Sequence, residues 1–311
     1  MNVRLASISI DLDEVPLYAS IHGLDPPTGP QAHAVYDRCL PRLAAWLRNE
    51  SVTATFFAIG RDLMREKNMR AIAALHRKGH EIANHSFHHH YDLTRRTEEE
   101  IALEIERASA MIQTACGTRP VGFRAPGYTV SDALFDALEA SDLRYDSSVF
   151  PCPSYYGLKA IVLGMMRLQG RHSESVLDDP AVLRASRQPY RVGRPYWRRG
   201  TGLLELPIGV TRSQLPYIGT SLVLGGAHAA RWLTKQMIGR QFINLELHGF
   251  DAADSAADGL QTLASHRADL KRTARQKLDS LSAAIRVMRS SGYELVTLRE
   301  AAQRLSSRSS R

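Results

Sequence analysis

Apolar and polar positions alternate in short blocks along the first half of the chain, and the period changes from block to block. Leu5 to Ile10 sets apolar residues between small ones and runs into an acidic pair, the pattern of a short strand that delivers side chains to a site. Val52 to Ile59 is β-branched and aromatic and predicts a second strand. Between them come a Pro/Gly loop at 25–30 and helically spaced apolar residues from Val35 to Leu47. The alternation continues with helices over 70–77, 97–114 and 131–139 and strands over 81–84 and 121–123. Thr97 followed by Glu100 is a capping-box signature, in which hydroxyl and carboxylate satisfy backbone donors at a helix start. Later strands are predicted at 203–206, 243–247 and 294–297, with one long amphipathic helix from Leu263 to Met288.

Strands separated by helices pair in parallel, so the pattern predicts an α/β fold. Seven or eight such units make a distorted (β/α) barrel whose chemistry gathers at the C-terminal ends of its strands. The expected organisation is a single domain over 1–305. It carries an insertion at 152–202, where the rhythm gives way to apolar, Pro-containing and Arg-rich pieces, and residues 306–311 read as a disordered tail.

Composition narrows the class. Apolar residues make up 44% and charged residues 23%, which excludes a disordered chain. Cys39, Cys116 and Cys152 are far apart and odd in number, so reduced thiols are expected rather than a disulfide framework or a closed structural zinc site. The first acidic motif follows Met1 too soon for a standard signal peptide, and no run approaches the ~18 apolar residues of a spanning helix. The expectation is a cytoplasmic protein, peripheral at most at the inner membrane face. The net charge of +8 is concentrated in 184–199 and beyond 267. It suits nucleic acid, anionic lipid, a phosphorylated substrate or a merely solvated face, and charge alone does not choose.

The sharpest chemical signal is His85-Ser86-Phe87-His88-His89, directly after a strand. Two histidines four apart point the same way on one helical turn and make a two-nitrogen metal claw, although a solvated polar loop also collects histidines. Asp13 at the end of the first strand completes a facial His₂-Asp set, and Asp11, two residues earlier, shares its face. A cation on Asp13 separates the roles of the two carboxylates and leaves Asp11 to take a proton from water. Taken singly, acidic residues at a strand end more often cap a loop.

These motifs resemble those of polysaccharide deacetylases of the NodB-homology type, carbohydrate esterase family 4. The likeness runs from Ile8-Ser9-Ile10-Asp11-Leu12-Asp13 through Ala54 to Gly60 and Gly79 to His89, and on to Gly292-Tyr293-Glu294-Leu295-Val296-Thr297-Leu298. Leu12 departs from the adjacent aspartates usual in the family, which weakens the case for chitin-like substrates. The resemblance implies that Asp11 is the general base and that Asp13, His85 and His89 hold the metal. Through Phe123-Arg124-Ala125-Pro126-Gly127-Tyr128 it implies that Arg124 orients the base and that the Gly127 amide, beside Tyr128, holds the oxyanion. Through Tyr145 to Pro151 and Leu245 to Asp251 it implies that His248 is the general acid, with Asp146 behind its second nitrogen. The His₂-Asp set favours zinc, with cobalt, nickel or iron compatible.

The expected function is removal of an N-acyl group, N-acetyl first, from an amino sugar or from a glycan or lipid-linked sugar precursor. The apolar stretch 155–168 and the arginines that follow, with Trp197, suggest peripheral membrane contact through 155–199. They equally suit packing over the barrel, and no specific nucleic acid is expected. Two other readings stay open: a small-molecule amidohydrolase of the same superfamily, allantoinase-like or a deformylase, and a basic module that binds anionic surfaces through a vestigial site.

Overall fold

The computed structural model describes residues 4–309. Its nine strands are β1 (Arg4–Asp11), β2 (Thr55–Ala58), β3 (Glu81–Asn84), β4 (Gly122–Phe123), β5 (Tyr145–Asp146), β6 (Tyr190–Val192), β7 (Arg199–Glu205), β8 (Phe242–His248) and β9 (Tyr293–Leu295). The helices are α1 (Val15–Ile21), α2 (Leu40–Asn49), α3 (Glu66–Arg77), α4 (Glu98–Cys116), α5 (Asp132–Glu139), α6 (Pro153–Leu168), α7 (Gly219–Met237), α8 (Gln261–Ala264), α9 (Ala274–Ser290) and α10 (Leu298–Ser309).

Seven strands run parallel in the order β7-β5-β4-β3-β2-β1-β8, with β6 antiparallel on the outer edge of β7 and β9 paired to the start of β1. Between β7 and β8 the chain closes the curl without a strand: the Gly209 amide donates to the Asn244 carbonyl at 3.1 Å and Ile218 bridges Glu246. This is the distorted (β/α) barrel that the alternation predicts. The β1–β8 register sets Asp11 beside His248, so two strand ends deliver their polar side chains to one place.

The alternation along β1 sorts its side chains between two layers. Ala6, Ile8 and Ile10 enter an outer core with Leu43 and Leu47 of α2, Leu222 of α7 and Leu281 of α9. Leu5 points into the barrel with Phe57, Tyr145 and Phe242, and α10 seals that end with Leu298, Ala301 and Leu305. Above this apolar plug sits a polar layer in which Ser9 donates to Asn244 Oδ1 at 2.9 Å and Arg124 is wholly buried. The site lies on top of it.

Thr97 caps α4 through the capping box expected there. The helix expected over 263–288 is instead broken into α8, a 3-10 turn at Ala268–Lys271, and α9. Thr273 starts α9 with its own capping box to Gln276, and Asp269 turns inward to accept from Arg267 and Lys277. The tail expected from 306 is helical to Ser309, because α10 is held by its buried Ala302 and Leu305; residues 310 and 311 lie outside the described residues. Helix α7 went unread because Gly225 and Gly226 interrupt its pattern, and it kinks at Gly226, where φ is +72°.

Candidate active site

Asp13, His85 and His89 converge although 72 residues separate the first two, since His85 follows β3 and Asp13 follows β1. Asp13 Oδ1 lies 3.3 Å from His85 Nε2 and 3.4 Å from His89 Nε2. Donors on a tetrahedral ion with ~2.1 Å bonds stand about 3.4 Å apart, so these two spacings suit a group that could hold a metal ion. A second observation agrees. All three residues are buried, yet among the described residues Asp13 Oδ1 and both ring nitrogens of His89 have no hydrogen-bond partner. Buried polar atoms left in this state are costly unless something absent from the chain satisfies them. His85 Nδ1 sits 2.8 Å from the Arg124 carbonyl, which assigns the proton to Nδ1 and turns the Nε2 lone pair toward Asp13.

The histidine loop does not meet the helical expectation. Residues 85–89 form a tight turn in which Ser86 and His89 adopt left-handed backbone, with φ of +60° and +61°. Non-glycine residues hold such angles only when their surroundings over-determine them. Here Asn84 Oδ1 accepts from the Ser86 amide at 2.8 Å and Ser86 Oγ from the His89 amide at 3.0 Å. Glu104 of α4 accepts from the amides of Phe87 and His88, at 3.1 and 2.8 Å, and meets His88 Nδ1 at 2.6 Å. No sequence pattern marks Glu104 as a partner of this loop.

The expected base is held as the resemblance implies. Arg124 donates to Asp11 Oδ1 at 2.6 Å, while its other nitrogens are fixed by Ser9 Oγ, Ser147 Oγ and the Ser147 carbonyl. Asp11 Oδ2 is left 3.8 Å from His85 Nε2. On the opposite side His248 Nε2 lies 3.7 Å from Asp13 Oδ2 and 3.4 Å from the Tyr128 hydroxyl. Gly127 and Tyr128 both line the cavity; the Tyr128 amide donates to the Ala125 carbonyl at 3.2 Å. Gly127 has φ of +62°, and a Cβ there would meet the Tyr91 ring at 2.9 Å.

Asp146 is not behind His248. Its carboxylate accepts from the amide and hydroxyl of Ser148, at 3.0 and 2.7 Å, and pairs with Glu205. The partner of His248 Nδ1 is Glu246 Oε1 at 2.9 Å. The reason is strand geometry. Glu246 and His248 are two apart on β8 and share its inward face, the same rule that pairs Asp11 with Asp13 and that would have found Glu246. Burial works against charge on the imidazole, but the Glu246 carboxylate prevails and pushes His248 up to about 10. For Asp13, burial works to raise the carboxyl, and the charge of His89 with the contact to His85 holds it below the usual carboxylate range.

These groups lie at the base of a cavity of about 510 Å³ whose walls include Tyr155, Leu158 and Lys159 of α6 and Leu224 of α7. The arginines expected to meet a membrane do not reach it. Arg194 pairs with Asp136 and Glu139, and Arg191 donates to the Gly202 carbonyl at the β6–β7 edge.

Residues 28–145 match the family model for polysaccharide deacetylase. Among curated proteins, the uncharacterized YlxY of Bacillus subtilis (strain 168) is 28% identical over 97 residues, which is 31% of this chain and 30% of that protein's length. Among solved structures, a candidate polysaccharide deacetylase from Mycobacterium smegmatis superposes with a TM-score of 0.62 at 17% identity, over 98% of this chain and 92% of that one. The Xyl-CE4 domain of a multidomain xylanase from the hindgut metagenome of Trinervitermes trinervoides gives 0.51 at 15% identity, over 98% and 92%. Residues 28–145 are thus similar to polysaccharide deacetylases, and the chain shares the fold of these solved structures.

Proposed function

We propose that this protein is a metal-dependent hydrolase that removes an N-acyl group, N-acetyl first, from an amino sugar in a glycan or lipid-linked precursor. The observation that carries the reading is the convergence of Asp13, His85 and His89, with Asp13 Oδ1 3.3 and 3.4 Å from the two imidazoles and buried polar atoms that nothing among the described residues satisfies. Those three residues would hold a divalent cation, zinc first and cobalt, nickel or iron compatible, which supplies Lewis-acid polarisation of the acyl carbonyl.

The chain's own groups divide the proton work. Asp11, fixed by Arg124, takes the proton of the attacking water on its free oxygen. His248 gives a proton from Nε2 to the departing nitrogen, and Glu246 keeps that proton in place beforehand. The amide of Gly127 donates to the tetrahedral oxyanion, and Tyr128 closes the cavity over His248. Water attacks directly, so no covalent acyl-enzyme is needed. Three unpaired cysteines suit a reducing compartment, and the reading puts the protein in the cytoplasm, at the inner membrane face when its substrate is lipid-linked.

The test is metal analysis of the purified protein together with a screen of N-acylated amino sugars for released acid. Stoichiometric metal and acetate release from N-acetylhexosamine conjugates are expected. Metal-loaded protein that releases acid only from small ureides or formamides would overturn the substrate class, and protein that binds no metal would overturn the mechanism.

A further inference from the structure

Helix α6 is sixteen residues long, yet only Met166 on it is buried. Leu158, Ile161, Val162, Met165 and Leu168 stand 63%, 59%, 38%, 50% and 89% exposed. Their spacing puts all five on one stripe of the helix, turned away from the arginine at 167. A Cβ added at Gly157 or Gly164 would meet nothing within 4 Å, so the surface around the stripe is open as well. Soluble proteins rarely leave so continuous an apolar face uncovered.

The stripe begins at the cavity. Leu158 is part of both, and the facing wall ends in Leu224 of α7, itself 41% exposed. The first turn of α6 is joined to the segment before α7, where Ser154 Oγ donates to the Gln214 carbonyl at 2.6 Å. Along α7, His228, Trp232 and Lys235 form an exposed row, with Trp232 at 52%. A half-exposed tryptophan beside a lysine is the side-chain pair found where protein meets a lipid headgroup layer.

Charge points the same way. Residues 147–173 and 206–245 contain no aspartate or glutamate, and they carry Lys159, Arg167 and Arg171 in the first run and Arg212, Arg231, Lys235 and Arg240 in the second. None of these seven cations forms an ion pair among the described residues, although Lys159, Arg171 and Arg212 donate to backbone carbonyls. Arg167 on α6 and Lys235 on α7 are exposed, and exposed cations on the helices that carry an apolar stripe are complementary to an anionic lipid surface and not to a neutral sugar polymer. No helix of the described residues is long and apolar enough to cross a membrane, so such contact is lateral.

We infer that the outer faces of α6 and α7 form an interfacial docking surface for an anionic bilayer, which presents the cavity mouth to an amphiphilic substrate held in that bilayer. The docking itself does not depend on the hydrolase reading; only its use in presenting substrate rests on it. The experiment is co-sedimentation of the full chain with vesicles of phosphatidylcholine alone or of equimolar phosphatidylcholine and phosphatidylglycerol. Binding to the anionic vesicles is expected to exceed binding to the neutral ones and to fall with salt. The triple exchange I161D/M165D/L168D alters residues outside the cavity and is expected to lower binding at least about tenfold. Should that variant not fold, Arg167→Glu with Lys235→Glu gives the same readout through charge alone. Asp13→Ala should bind vesicles as the unaltered chain does, which separates failure of docking from failure of the catalytic reading. Equal binding by the triple variant, or no preference for anionic vesicles, overturns the inference. So does lipid-independent self-association that the same exchanges abolish, since a second copy would then be what covers the face.

Discussion

The floor of the cavity and its rim differ in how many neighbours hold each side chain. At the floor, Arg124 makes four hydrogen bonds to Asp11, Ser9 and Ser147, and Glu104 ties three groups of the histidine loop. At the rim, α6 leaves five large apolar side chains between 38% and 89% exposed. Over-determination is what lets Ser86 and His89 keep unfavourable backbone angles and lets unsatisfied ligand atoms persist in a buried place. The rim has no such requirement, and its apolar side chains stay open to solvent.

The largest effect is expected from Asp13→Ala, which removes one of three converging donors. Bound metal should fall well below stoichiometry, and turnover should drop by about 10³-fold or more, since a Lewis acid contributes several kcal/mol to such a reaction. Elemental analysis beside an acetate assay checks it. Retention of both metal and turnover would show that the spacing of 3.3 and 3.4 Å has another meaning.

Next comes the choice between Glu246 and Asp146. With Glu246 in place, His248 holds its proton up to about 10, so the acid is ready through neutral pH and is lost only as pH rises toward that value. Glu246→Gln keeps the burial, which lowers the imidazole, and removes the largest of the charges that raise it, leaving Asp13 and Asp11. The high-pH limb of kcat should therefore move to lower pH, with a loss near pH 9 of about tenfold or more that recovers on acidification. Asp146→Asn should leave that limb where it is, because its carboxylate faces Ser148 and Glu205. The pair of pH profiles decides between the two carboxylates, and a limb moved by Asp146→Asn alone would restore the family's arrangement.

What sequence could reveal followed from the range of the interaction. Strands β1, β2, β3 and β8 declared themselves through local period and composition, and Asp11, Asp13, His85 and His89 through spacing at their ends. Strand β5 is two residues long, too short for a period, and only the motif flanking it betrays its place, whereas β4, equally short, lies within the strand predicted over 121–123. The family resemblance points to Asp146 as the partner of His248, whereas the strand rule that pairs Asp11 with Asp13 points to Glu246, which the structure places 2.9 Å from Nδ1. Glu104 was beyond reach, because its bond to His88 joins a loop to a helix face sixteen residues on and leaves no local signature.

Glu104→Gln sharpens the same comparison at smaller cost. It keeps the shape of the side chain but weakens the acceptor shared by two backbone amides and His88, so the loop that carries His85 and His89 loosens without losing a ligand. Outer-shell partners of this kind are worth about 10- to 100-fold in metal affinity. A competition titration with a chelator should find a shift in that range, with turnover at saturating metal changed far less.

The smallest effects belong to the rim, where two residues of one helix two positions apart should behave oppositely. Met166 is buried and reaches the backbone near Gly23, so Met166→Ala opens a void and should cost about 2 kcal/mol of unfolding free energy. Leu168 is 89% exposed, and Leu168→Ser should change stability by no more than about 0.5 kcal/mol while removing apolar surface. Denaturant melts of the two variants measure the difference. A large loss at Leu168 would mean that α6 is already covered in the isolated chain, and the stripe would then be core rather than surface. Loss at Met166 alone shows a helix pinned by one face and offered by the other.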